Sequence, residues 1–358
     1  MRRRCLGPSV TIKDVARHAN VSVATVSRAL NGHENVAEAV RTRVLAVAKE
    51  LRYSPHHAAR SLSSRRTNTI GVVLPDLYGE FFSELMRGID QVARDQGLHL
   101  LVSSYHGKPE EQGEALRAMR GRVDGLLLMS PYAIGASQLA DELTPAQPAV
   151  LINSRLPELE APALTVDNVS GAAEMVRHLA GSGRRRIAFI AGPEDNFDAR
   201  DRALGYRQAL AGALPGAEPW IVQGDFSEAS GHAAARQLLA AKARPDAVFA
   251  ANDMMALGCL FGCLQAGVRV PDEIAIAGFD DIPLARYAHP PLTTMRVDIA
   301  GIGAQAMRML LQRLGDGGAG MGEDAAPQTM TARLIAREST GRGAGAETPA
   351  PHLATHRR

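Results

Sequence analysis

The chain is short of aromatic residues, of cysteine and of long apolar runs. Aromatics make up 4% of its 358 residues, with a single Trp. The core must therefore be aliphatic, as in α/β proteins built from sheets and helices. Three cysteines, Cys5, Cys259 and Cys263, are an odd number with no pair spaced like a disulfide framework. Cys259 and Cys263 stand one helical turn apart in an apolar segment and read as packing residues. Two thiols without a nearby His make a poor zinc site. No run of about 18 apolar residues appears, so no helical membrane span is expected. The opening MRRRCLGPSVTIKD is basic but lacks the apolar run of a signal peptide, so the expected compartment is the cytoplasm. No nucleophile–His–acid set stands out and the GxSxG elbow is absent. An enzyme is not expected, nor a cofactor or metal. GIGAQA at Gly301 resembles half a dinucleotide fingerprint. No acidic residue follows about 20 positions on at a strand end, so it reads as the opening of a helix over Ile299 to Leu314.

Charge, by contrast, is present and unevenly placed. Residues 1–70 hold thirteen Lys and Arg against four Asp and Glu, while the remainder is net acidic. A basic head on an acidic body argues that the head meets a polyanion. The head also carries a pattern. TIKDVARHA is a first helical segment, with Thr11 as cap and Asp14 three residues on to complete a capping box. Val15, Ala16 and Ala19 share one face. Asn20 and Val21 break the periodicity, and Ser22 can cap a second helix reading VSVATVSRALN. There Val26, Ala29 and Leu30 can face inward, leaving Val23, Ala24, Ser27 and Arg28 outside. Two short helices joined by a tight turn are the helix-turn-helix unit, whose second helix enters the major groove of DNA. A third helix, roughly Ala37 to Leu51, has an apolar stripe of Val40, Val44, Val47 and Leu51. The segment YSPHHAARSLSSRR follows, with Pro55 to start a short helix and Arg60, Arg65 and Arg66 to make it basic. It is either a plain linker or an element that folds on binding DNA.

Beyond Thr69 apolar strands alternate with helical segments: TIGVVLP, LHLLVSS, VDGLLLMS, PAVLIN, RRIAFIAG, DAVFAAND and EIAIAGFDD. Such alternation specifies parallel sheets covered by helices, with ligands beyond the carboxyl ends of the strands. Those ends supply Asp76, Asn153, Asn252 with Asp253, and Asp280 with Asp281. The loop GPEDNFDARDRALGY contributes Asp198, Arg200 and Arg202. Phe81, Phe82 and Phe226 can form apolar walls. Carboxylates, amides, a guanidinium and an aromatic plate suit a polyhydroxylated ligand, because hydroxyls are satisfied in pairs and a sugar ring stacks by its apolar face. For Asn252 and Asp281 a helix-cap role stands beside the ligand role. Arg202 and Asp280 read as ligand residues.

TIKDVARHANVSVATVSRALN, VAEAVRTRVLAVAKELRYSP and ARSL, in that order, resemble the head of the lactose-repressor (LacI/GalR) family of bacterial regulators. The resemblance continues through WIVQGDFSEASG, VFAANDMMALG, VRVPDEIAIAGFDD and PPLTTMRVD. It implies that Val23, Ala24 and Arg28 face base edges, and that Ser22, Thr25, Ser27 and Asn31 approach phosphates. It also implies that Leu62 wedges into a minor-groove step of operator DNA. Arg60 lies on the same hinge segment. For the body it implies a fold similar to periplasmic sugar-binding proteins, two subdomains joined by several crossovers. Phe81, Asn153, Arg202, Phe226, Asn252 and Asp280 map onto the effector cleft. Val40 stands where the family often has Thr, and His56 where it often has Asn. Purine-responsive members carry Arg and Thr at the places of Asn196 and Asp198, which turns the expectation from a purine to a sugar or sugar acid. The carboxylate of Asp198 leans it further, to a neutral sugar.

The expected chain is therefore a disordered leader over 1–9, a helix-turn-helix domain over 10–54, and a hinge over 55–66. An effector-binding and dimerisation domain over 67–340 and a disordered tail over 341–358 complete it. The tail lacks leucine heptads, so a homodimer is expected. The function expected is a sequence-specific transcription regulator, a repressor controlled by a small-molecule effector, with no membrane partner. A sugar receptor without transcriptional role, or a purine-type corepressor-dependent regulator, is the alternative.

Overall fold

The computed structural model describes residues 10–30, 35–53, 66–132, 139, 142–143, 147–155, 161–315 and 327–341. The chain falls into two compact units, Met1–Thr67 and Asn68–Arg358.

In the first unit, helix α1 spans Ile12–Ala19, α2 Val23–Leu30 and α3 Glu38–Glu50. The start of α1 is fixed by Thr11, whose backbone N–H and hydroxyl both donate to the Asp14 carboxylate, at 2.9 and 2.7 Å. It stops at Asn20, which takes the left-handed conformation (φ 52°) that Asn tolerates. Ser22 then opens α2, its Oγ accepting the Thr25 N–H at 3.1 Å. Val15, Ala16, Ala19, Val26, Ala29, Val36, Val44 and Ala48 are buried together, with Tyr53 packed against them. These side chains are small, so three short helices can share one core.

The second unit begins with β1 (Thr69–Leu74), α4 (Glu80–Asp95), β2 (His99–Ser104), α5 (Pro109–Met119), β3 (Gly125–Met129), β4 (Ala149–Ile152) and β5 (Ala163–Val166). It continues with α6 (Asn168–Gly181), β6 (Ile187–Ala191), α7 (Phe197–Ala213), β7 (Trp220–Gln223), α8 (Glu228–Leu239), β8 (Ala247–Ala250), α9 (Asp253–Gln265), β9 (Ala275–Asp280) and β10 (Thr293–Arg296). Helix α10 (Ile299–Gly315) and strands β11 (Gln328–Met330) and β12 (Arg333–Ile335) follow. One sheet has the order β11-β5-β4-β3-β1-β2, the other β12-β10-β9-β8-β6-β7. All neighbours run parallel except β10 and β12. The chain passes between the sheets after β5, after β10 and between β11 and β12, because α6 packs on the second sheet and α10 on the first.

The inner strands are buried almost throughout. Both faces are covered by helices, which is why they read as unbroken apolar runs. Helices α8 and α9 approach so closely that a Cβ on Gly258 would lie 2.0 Å from the Glu228 carbonyl oxygen. The second sheet also holds a buried polar hub. Asp253 accepts the Thr294 hydroxyl at 2.6 Å and the Ile282 N–H at 2.9 Å. Asp281 accepts from Arg296 and Arg337, each at 2.5 Å.

Candidate ligand cleft and DNA-reading helix

A cleft of about 320 Å³ opens at the carboxyl ends of both sheets. From the first sheet come Asp76, Tyr78, Phe81 and Phe82 after β1, and Met129 and Tyr132 at the end of β3. The second sheet contributes Asn196, Asp198 and Arg202 after β6, Asp225 and Phe226 after β7, Asn252 after β8, and Asp280 at the end of β9. Tyr78, Phe81, Phe82, Tyr132 and Phe226 are five of the fifteen aromatics in the chain. In a sequence this poor in rings, that concentration marks the cleft as the place where stacking is needed.

The floor is a chain of polar contacts. Asp198 accepts from Asn153 Nδ2 at 2.9 Å and from Asn168 Nδ2 at 2.8 Å. Arg202, only 4% exposed, donates from Nε to Asn168 Oδ1 at 2.8 Å and from Nη1 to the Ala251 carbonyl at 2.6 Å. Its Nη2 lies 3.3 Å from Asp280 Oδ1, and its guanidinium sits 3.9 Å from the Phe279 ring centroid. Burial pushes Asp280 up to about 7; Arg202 opposes the shift and Asp198 adds to it. Burial also raises Asp198 and, well above the usual carboxylate range, Asp253. Each of these groups lies in a low-dielectric setting that penalises its charged form.

Asn153 (φ 44°), Phe226 (φ 72°) and Asp280 (φ 116°) all lie in the left-handed region. For Phe and Asp that conformation is strained, and it turns the backbone sharply at the strand ends, where strain of this kind gathers at working sites.

Phe81, Asp198, Arg202, Phe226, Asn252 and Asp280 thus share one cleft. Asn153 stands behind it, holding Asp198. Asn252 has three roles: its Oδ1 caps α9 by accepting the Met255 N–H at 2.9 Å, its Nδ2 donates to the Phe226 carbonyl at 3.0 Å, and it lines the cleft. Asp281 is turned to the hub instead. The stretch GPEDNFDARDRALGY is a loop only as far as Asn196, whose Oδ1 accepts the Ala199 N–H at 3.0 Å and so starts α7. Asp198 and Arg202 therefore project from a helix, one turn apart, while Arg200 is exposed and does not line the cleft. Asn168, Tyr78, Tyr132 and Asp225 do not stand out in the sequence. Asn168 is masked by Asp167, the true cap of α6, which accepts the Ser170 N–H.

Ser22 at the start of α2 and Val23, Ala24 and Arg28 on it are exposed, and Thr25 and Ser27 half-buried, opposite buried Val26 and Ala29. Val23 is 40% exposed, high for a valine in so small a core. Asn31, Arg60 and Leu62 lie outside the described residues, as do 1–9, most of the hinge and 342–358. Among the described residues, no cluster of His, Cys, Asp and Glu is arranged to hold a metal, and no helix is long and apolar enough to cross a membrane.

Residues 11–56 match the family of bacterial regulatory proteins called the lacI family, and residues 176–340 match the periplasmic binding protein-like domain. The HTH-type transcriptional repressor CytR of Escherichia coli strain K12 is 37% identical, over 93% of this chain and 96% of that protein. A lac repressor dimer, solved bound to operator and the anti-inducer ONPF, superposes with a TM-score of 0.81 at 29% identity, over 94% of this chain and 100% of that one. The transcriptional regulator CelR in complex with cellobiose gives 0.68 at 32% identity, over 92% and 99%. A basic helix-turn-helix head, a two-sheet body and a ring-lined polar cleft thus converge with these likenesses: the chain belongs to the lacI family of bacterial regulatory proteins and is a DNA-binding transcription regulator.

Proposed function

We propose that the protein represses transcription as a homodimer, its two heads reading a roughly palindromic operator, and that a sugar-type effector in the cleft sets its grip on DNA. The observation that carries this reading is the cleft itself. Polar groups at its floor, Asp198, Arg202, Asn252 and Asp280, converge beneath rings that belong to both halves of the body. Hydroxyls suit such a floor and the apolar face of a sugar suits such walls. The complex of the relative CelR with cellobiose supports the same ligand class. Neither a purine's edge nor a corepressor anion is catered for: Asn196 spends its Oδ1 on capping α7, and Asp198 is held by two amides.

In this mechanism Arg28 pairs with a guanine edge, worth about 1–3 kcal/mol of discrimination. Val23 and Ala24 make apolar contacts in the groove, while Ser22, Thr25, Ser27 and Asn31 approach phosphates. Arg60 and Leu62 act from the hinge, Leu62 as the minor-groove wedge. Effector binding shifts the relation between the two sheets, whose three crossing segments form the natural hinge. Because this is a coupling free energy, operator binding must weaken or strengthen effector binding by the same factor.

Gel-shift measurements with promoter fragments, with and without a panel of sugars, test the reading. One fragment should stay bound at a salt concentration that releases bulk DNA, and one sugar should change that retention. Arg28→Ala should erase the preference and leave salt-sensitive binding to random DNA. Equal affinity for every fragment, with or without sugars, would refute it.

A further inference from the structure

Within that cleft, charge is out of balance. Four carboxylates line it, Asp76, Asp198, Asp225 and Asp280, against the single guanidinium of Arg202. That guanidinium is already partly engaged, and its charge is offset by Asp280. Its Nε and Nη1 donate to Asn168 and to the Ala251 carbonyl, its Nη2 points at Asp280, and its face lies on Phe279. Asp280 is not satisfied by it. Its Oδ1 is buried, lies 3.3 Å from Nη2, and still accepts no hydrogen bond. A buried carboxylate oxygen without a donor is costly, and Asp280 is one of the residues that line the cleft. At the rim, Asp76 accepts the Leu77 and Tyr78 N–H groups at 2.6 and 3.1 Å, and Asp225 accepts the Ser227 N–H at 2.9 Å. Both are thereby fixed as acceptors where a ligand enters. The rings of Tyr78, Phe81, Phe82, Tyr132 and Phe226 line the same cleft. Rings and carboxylates together are the surroundings that a positive charge prefers and a negative one avoids.

We infer that the effector is a polyhydroxylated molecule carrying a protonated amine, which donates to Asp280 Oδ1 within the carboxylate ring, and that sugar phosphates and sugar acids are shut out. The inference rests on the sugar-type reading of the cleft and narrows it. A neutral sugar can give Asp280 a hydroxyl donor, whereas an ammonium beside it also favours the ionised carboxylate that burial otherwise penalises. An amine supplies the donor and the charge in one group, and an acid adds a fifth carboxylate to four.

The test is calorimetric titration and thermal shift of the full-length protein at pH 6.5 with matched sets. These are D-glucose, D-glucosamine and D-glucuronate, with the corresponding galactose and mannose sets. In at least one set the amino sugar should bind at least tenfold more tightly than its neutral parent, and the acid should not bind. Asp280→Asn should bring amine and parent close to parity. Should that variant fail to fold, Asp76→Asn on the rim should reduce the same ratio. A neutral sugar or an acid that binds as tightly as its amine overturns the charge assignment and leaves the sugar reading standing. If the amine's advantage survives unaltered in the folded variants, the assignment to these carboxylates falls. If no sugar of any set binds while the protein still binds DNA, the sugar reading falls and this inference falls with it.

Discussion

The two halves of the body share their strand order, apart from an antiparallel edge strand in the second, and have opposite interiors. Around the first sheet the buried residues are almost all aliphatic, and the polar exceptions, Gln112, Ser130, Asn153 and Ser154, carry no charge. Around the second sheet lie Arg202, Asp253, Asp280 and Asp281, all buried. The first half brings to the cleft four of its five rings, Tyr78, Phe81, Phe82 and Tyr132, while the second brings Arg202, Asp198, Asn252 and Asp280. The first half supplies most of the walls and one carboxylate, Asp76, and the second supplies the remaining charged groups with one ring, Phe226. Arg202, Asp253, Asp280 and Asp281 are held by partners of their own half, while Asp198 also accepts from Asn153 of the first half. The first half can then move against the second without breaking a buried ion pair.

The largest way to break this contrast is Arg202→Ala. The substitution removes the donor to Asn168 and to the Ala251 carbonyl and leaves Asp280 without its ion-pair partner. Loss of one partner from a buried ion pair costs about 3–5 kcal/mol. Urea denaturation should show a loss of that order, and sugar should no longer alter DNA retention. A variant of unchanged stability would show that the guanidinium is not integrated as described. The matched change in the first half is Leu127→Ala, on β3 and fully buried. It should cost about 2–5 kcal/mol through cavity formation alone. That cost should be the same at pH 4.5 and pH 7.5, since no ionisable group touches the mechanism.

How much of this could be read beforehand follows from the same contrast. Strands β1, β3, β4, β6, β8 and β9 are apolar runs and stand out in the sequence. Strands β5, β7, β10, β11 and β12 are no longer than β4 and β8, but each includes a polar residue among its three or four, so no apolar run marks them. Arg202 and Asp280 were legible because a charged residue beyond an apolar strand has no structural reason to be there. Asn168 was not, since an amide at a helix start reads as a cap. Only the fold reveals that Asp167 does the capping and frees Asn168 to join Asp198 to Arg202. Nor were Tyr78 and Tyr132 legible, because a lone Tyr in a loop carries no local signal. The exposed face of α2 was legible at Val23, Ala24 and Arg28, because helix period and caps are both local, while Ser27, expected outside, is half-buried.

A smaller effect, because a single ionisation carries it, is the dependence of stability on pH. Asp280 faces Arg202 and Asp198 and is held at about 7, above the 3.8 of a free carboxyl. Between those values the folded chain keeps the proton and the unfolded chain has released it. The folded state therefore binds more protons, and its stability falls as pH rises from about 4 to about 7, then levels. Asp280→Asn should flatten that slope in a series of urea melts. Part of it should remain, since burial raises Asp198 and Asp253 in the same direction. A stability that rises over this window would show that Asp280 is ionised with no penalty. Leu127→Ala should leave the slope unaltered, which separates the two halves by measurement.

The smallest effect, and the one that tests the walls, is Phe81→Ala. Phe81 stands on α4 of the first half, is half-buried, and meets Phe82 edge-on with ring centroids 5.4 Å apart. If the first half serves the ligand by stacking, the deletion should weaken sugar binding by about tenfold, or roughly 1.4 kcal/mol, within the range of an aromatic contact together with its buried area. Stability should fall by less than the Leu127→Ala loss, because part of the ring is already in contact with the cleft rather than the core. Affinity and stability would then separate in opposite order for the two substitutions: Leu127→Ala costs folding and spares binding, Phe81→Ala does the reverse. Equal affinity before and after Phe81→Ala would mean that the ring is core, and that the second half recognises the effector unaided.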